Sequence, residues 1–69
     1  MRDPARIDRM ISKLRELWVM QPDTRLCQLV MNTGPKRGSI YYVEDDDMEK
    51  AIDEAFVMHL QFARERDRN

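Results

Sequence analysis

The apolar positions Ile7, Met10, Ile11, Leu14, Leu17 and Trp18 recur at spacings of three and four, the period of an amphipathic helix. At about 100° per residue they fill an arc of roughly 120°, an ordinary core-facing stripe, with Arg6, Arg9, Lys13 and Arg15 on the opposite face. Asp3-Pro4 reads as the helix start. An aspartate carboxylate caps free first-turn amides, and proline lacks only a donor that is unused there. Pro22 ends the pattern, and Asp23 is placed to cap a second, shorter helix over 24–31 with Leu26, Leu29 and Val30 inward. Asn32-Thr33-Gly34-Pro35 reads as its stop, with Gly34 taking positive φ and Pro35 unable to continue.

After a polar loop, Lys36-Arg37-Gly38-Ser39, comes Ile40-Tyr41-Tyr42-Val43, a β-prone stretch of only four residues. A lone strand needs a partner, and the chain has no second segment of this type. The stretch therefore reads as an extended connector that pairs with its counterpart in another subunit. Extended backbone points Tyr41 and Tyr42 to opposite faces, one toward core and one toward solvent. The last helix begins within Glu44-Asp45-Asp46-Asp47. With Asp46 as N-cap, Glu49 falls at the third helical position and completes a capping-box-like arrangement. The acidic cluster complements the positive end of the helix dipole, and Arg64, Arg66 and Arg68 complement the other.

On a helical wheel, Met48, Ala51, Ile52, Ala55, Phe56, Met58, His59, Leu60, Phe62 and Ala63 spread over about 200°. The first two helices cover roughly half of that arc, leaving Phe56, Leu60 and Ala63 exposed on one flank of a monomer. Such patches mark interfaces, and a twofold pairing covers a patch with its own copy. The expected fold is an all-α single domain over 1–69, ordered long helix, short helix, extended connector, long helix, with 63–69 as a frayed tail. The expected assembly is an intertwined or side-by-side homodimer with Ile52, Phe56, His59, Leu60 and Ala63 at its interface.

Size supports self-association. A 69-residue chain buries only about 60% of its extended surface and often needs disulfides, metal or oligomerisation. Cys27 alone excludes a disulfide framework, and His59, the only histidine, leaves a zinc site without ligands. Oligomerisation remains. The single thiol fits a reducing compartment. No apolar run approaches the roughly 18 residues of a membrane span, and Met1-Arg2-Asp3-Pro4 lacks a signal-peptide h-region. The expectation is a cytoplasmic protein without membrane attachment. A net charge of −1 with 36% charged residues gives no bulk attraction for nucleic acid.

Candidate chemistry is sparse. His59 sits mid-stripe and reads as a packed histidine, because acid–base catalysis needs a positioned partner and a pocket. Cys27 adjoins an inward position and reads as a small buried hydrophobe. Asp45-Asp46-Asp47 lacks the alternating ligands and glycine of a calcium loop. The segment from Gly34 to Ser39 has the wrong spacing for a phosphate loop and no preceding strand. Neither an enzyme nor a cofactor is expected. A basic first helix, Lys36-Arg37 and two stacking tyrosines would suit nucleic acid, yet the acidic cluster directly after the tyrosines repels a phosphate backbone. That acidity beside two tyrosines suits a basic protein surface instead, since tyrosine is enriched at interface hot spots. Tyr41, Tyr42, Glu44, Asp45, Asp46 and Asp47 are the candidate partner-binding residues.

Four runs, taken together, carry a resemblance. They are Arg2-Asp3-Pro4-Ala5-Arg6-Ile7-Asp8-Arg9; Leu14 to Trp18; Gln21-Pro22-Asp23-Thr24-Arg25-Leu26 with Gln28-Leu29 and Asn32; and Tyr41-Tyr42-Val43-Glu44-Asp45-Asp46. Over residues 2 to about 56 the chain resembles a family of small helical proteins of bacteria and their phages, and is most similar to the family's phage quorum-sensing anti-activators. The resemblance implies a homodimer that binds a host LuxR-type transcription activator and blocks its DNA binding. It also implies a second target, the ATPase that assembles type IV pili. Cys27 stands where the family often has a small residue such as glycine, and the loop from Thr33 to Ser39 varies in length, so no contact residue carries over there. Two alternatives stay open on the residues alone: a bacterial adaptor with another partner, and a small nucleic-acid-binding regulator.

Overall fold

The computed structural model describes residues 2–36 and 38–67. Its elements are α1, Ala5–Val19; α2, Leu26–Thr33; a 3-10 turn, Ile40–Tyr42; and α3, Asp45–Asp67. The all-α expectation holds, with no strand among the described residues. Among them, too, no helix is long and apolar enough to cross a membrane.

α1 starts as its residues dictate. Pro4 takes helical angles (φ −61°, ψ −20°), and the Ala5 amide donates to Asp3 Oδ1 at 2.9 Å, so the carboxylate satisfies an otherwise orphaned donor. After Val19 the chain turns through residues 20–25, anchored where Trp18 Nε1 donates to the Thr24 carbonyl at 2.7 Å. α2 begins later than expected, and Asp23 does not cap it. Arg25 is the N-cap residue, and its amide donates to Gln28 Oε1 at 3.2 Å, a side chain reaching back from the third helical position.

The end of α2 corrects another expectation. Gly34 takes φ −65° and ψ 163°, not a left-handed conformation. Its role is steric: a Cβ there would stand 2.5 Å from Ile40 Cδ1 and 3.2 Å from the Val30 carbonyl oxygen. The left-handed residue is Gly38, at φ 68°. This close passage seats Ile40 beneath the chain, and the next residues coil rather than extend. Ser39 caps them, its Oγ accepting from the Tyr41 amide at 3.3 Å, and the Val43 amide returns to the Ile40 carbonyl at 3.2 Å. With no strand to pair with, local hydrogen bonds decide the backbone. The β-prone composition of residues 40–43 is overridden.

α3 begins at Asp45, after Glu44 rather than Asp46 as expected, with the Met48 amide bonded to the Glu44 carbonyl at 2.9 Å. Asp45, Asp46 and Asp47 lie in the first turn, where they face the positive dipole end. The helix continues to Asp67, through residues 63–67 that were expected to fray; Arg68 and Asn69 lie outside the described residues.

The core takes one side chain from each helix. Leu17, Leu29 and Ile52 are 0%, 1% and 3% exposed, with Leu14, Trp18, Met48, Ala55 and Phe56 packed around them. Burying each of the three stabilises the fold by about 1.5–3 kcal/mol. Met10 and Leu14 are half-buried, but Ile7 and Ile11 remain 51% and 59% exposed. The reason is position around the helix: Ile7 and Ile11 lie on the flank of the stripe farther from Arg6, Arg9 and Lys13, which face α3.

Candidate functional site

The structure divides the expected partner-binding residues into two groups. Tyr41 and Tyr42 are 83% and 79% exposed, so neither enters the core; a 3-10 turn does not alternate its side chains as a strand would. Their rings meet edge to face, with centroids 5.0 Å apart and planes at 78°. Each ring steadies the other, and Ser39 fixes the turn that carries them. Asp46 and Asp47 stand exposed in the α3 turn that follows. A shallow depression joins Tyr42, Val43 and Asp47 to Pro35 and Ser39.

Glu44 and Asp45, by contrast, are engaged within the chain. Arg2 Nη2 donates to Glu44 Oε2 at 2.9 Å and Arg6 Nε to Asp45 Oδ2 at 2.5 Å. The series continues down the seam. Arg9 grips Glu49 with two donors, at 2.7 and 3.1 Å, and Lys13 reaches Glu49 at 2.8 Å and Asp53 at 3.1 Å. Each step along α1 meets a step along α3, so these helices run parallel, locked in register by a ladder of charge. Glu49, expected to cap α3, is the centre of that ladder. Its hydrogen bonds to Arg9 and then Lys13 lower its pKa from 4.5 to about 2. The hydrogen bond from Arg6 lowers that of Asp45.

A titration follows. Glu49 is held below its ordinary 4.5 in the folded chain, so its contribution is fully present above that value and is lost as pH falls toward about 2. Helicity followed by circular dichroism should fall between pH 4.5 and 2, and Glu49→Gln should flatten the profile there. An identical profile for the variant would show that the ladder does not hold the seam.

The ladder also changes the reading of the basic face. Arg6, Arg9 and Lys13 point at carboxylates rather than away from them, so the surface considered for nucleic acid is neutralised from within. The signal was present in the sequence: Arg6, Arg9 and Lys13 on one helix and Asp45, Glu49 and Asp53 on another share helical spacing.

The expected dimer-interface residues are also divided. Ile52 lies in the core of the single chain and Phe56 packs against it. His59 is half-buried, its Nε2 3.2 Å from Gln21 Nε2. Leu60 and Ala63 stay on the surface. Other apolar side chains are exposed: Ile7 and Ile11 of the stripe expected to face the core, Met58 and Phe62 of the wide arc on α3, and Val57, which the wheel does not place in that arc. Met58 and Phe62 wall an open groove of about 350 Å³ between α2 and α3, floored by Leu29, Ala51 and Ala55. Cys27 is exposed, contrary to expectation, because the start of α2 faces solvent. Among the described residues, no three His, Cys, Asp or Glu side chains gather as a metal site would require.

No family model matches the chain, and neither a curated protein nor a solved structure matches it.

Proposed function

We propose that this chain is an inhibitory binding protein that acts by contact, as a homodimer in a host bacterial cytoplasm. Its targets are those the family resemblance implies: a LuxR-type activator, whose DNA-binding surface it covers, and the type IV pilus assembly ATPase. The observation that carries this reading is the exposed Tyr41–Tyr42 pair, fixed on a capped turn beside Asp46 and Asp47. Rigid exposed tyrosines give large contact area at small entropy cost. The adjacent carboxylates complement arginines and lysines that otherwise meet phosphate. Glu44 and Asp45 support the platform from behind, through Arg2 and Arg6.

A nucleic-acid-binding role is the weaker reading, since Arg2 before α1 and Arg6, Arg9 and Lys13 within it are spent on carboxylates at and before the start of α3 and along it. Calorimetric titration of the purified chain into a purified LuxR-type activator, and separately into the pilus ATPase, tests the proposal. Saturable binding to the activator is expected. Absence of binding to both proteins would overturn the targets.

A further inference from the structure

Six charges of α1 and the segment before it fall into two sets, and Glu16, also exposed, belongs to neither. Arg2, Arg6, Arg9 and Lys13 turn toward α3 and are all paired there. Asp8 and Arg15 are exposed on the other side and make no ion pair among the described residues. They are seven residues apart, close to two helical turns, so they lie along one edge of the helix. Beside them runs the exposed part of the apolar stripe. Ile7, Ile11, Leu14 and Trp18 follow the four-three-four spacing of a coiled-coil seam; Leu14 and Trp18 already pack against the core, and Ile7 and Ile11 remain more than half exposed.

We infer that the outer flank of α1 is where two copies of this chain pair, antiparallel, with Asp8 of each copy meeting Arg15 of the other. The inference rests on the homodimer reading above and names the face that forms it. Charge sets the direction: a parallel pair would turn the edge that carries Asp8 and Arg15 toward the opposite edge of the other copy, where neither residue stands, whereas an antiparallel pair brings the two like edges together and makes two identical ion pairs about a twofold axis. That axis passes between residues 11 and 12, the midpoint of 8 and 15, so the Ile11 side chains cover one another. Ile7 then approaches the shallow apolar depression that Arg15, Trp18, Val19 and Pro22 form at the far end of the second copy's α1. The apolar flank of α1 that Ile7 and Ile11 leave exposed is thereby covered.

Sedimentation equilibrium of the full chain tests this, with circular dichroism confirming that each variant is folded. The unmodified chain is expected to dimerise. Asp8→Arg and Arg15→Asp each set like charges together twice, and each should weaken the dimer by about tenfold or more, while the double variant should restore it. Asp8→Asn, a gentler change, should weaken it less than Asp8→Arg and serves if a charge reversal disturbs folding. A dimer indifferent to these changes, or a double variant no tighter than the single ones, would overturn the α1 pairing while leaving the homodimer intact. A monomer at all concentrations would overturn both.

Discussion

Leu17→Ala is expected to abolish cooperative folding. Leu17 has no exposed surface and lies between Leu29 and Ile52, so its loss removes one of the chain's three fully packed contacts. Truncating a buried leucine costs about 2–5 kcal/mol. A single core in a domain this small supplies about 3–5 kcal/mol in all, so the loss takes most or all of the stability. Thermal unfolding followed by circular dichroism in the helix band should lose its sigmoid and become a shallow slope. Leu60→Ala, at a surface position on α3, should keep a sigmoidal melt. A Leu17→Ala chain that still melted cooperatively would place the stabilising contacts between copies rather than inside one.

Replacing both Tyr41 and Tyr42 with alanine should have the opposite signature. Neither ring enters the core, and the Ser39 cap and the Val43 to Ile40 bond do not involve them. The melt should stay where it is. Affinity for the activator should fall by about a hundredfold or more, as expected when two hot-spot aromatics are removed from one interface. Calorimetry on the variant reads this directly. Unchanged affinity would move the contact surface elsewhere, with the groove beside Met58 and Phe62 the next place to look.

Much of the fold is legible in the residues. Apolar spacing reveals all three helices, and Asp3-Pro4 begins α1 where capping chemistry puts it, because those signals act within one turn of backbone. What lies between elements is less legible. The β-prone Ile40-Tyr41-Tyr42-Val43 coils, since strand propensity describes fit to a sheet that this chain does not build. Gly34 reads as a residue chosen for positive φ, yet it takes negative φ and its missing side chain leaves room for Ile40 Cδ1 and the Val30 carbonyl, contacts between segments that no local pattern announces.

The surface followed the same division. A wheel can show that an apolar arc is wide, but only packing shows which part is left over. Ile52 and Phe56 pack inward with Leu17 and Leu29, while Ile7 and Ile11, on the flank of α1 away from α3, are left out. Likewise the acidic residues 44–47 read as one patch. The register of α1 against α3 splits them, engaging Glu44 and Asp45 and leaving Asp46 and Asp47 open. That register depends on charges about 40 positions apart in the chain, such as Arg9 and Glu49.

The central claim is that the chain disarms a transcription activator by covering the surface that meets DNA. The most direct measurement is fluorescence anisotropy of a labelled promoter fragment bound to the purified LuxR-type activator, titrated with this chain. The account predicts that anisotropy falls to the value of free DNA as the chain is added, and that the Tyr41→Ala, Tyr42→Ala double variant fails to lower it. Persistent DNA binding at saturating chain, or displacement by the double variant as efficient as by the unmodified chain, would contradict it.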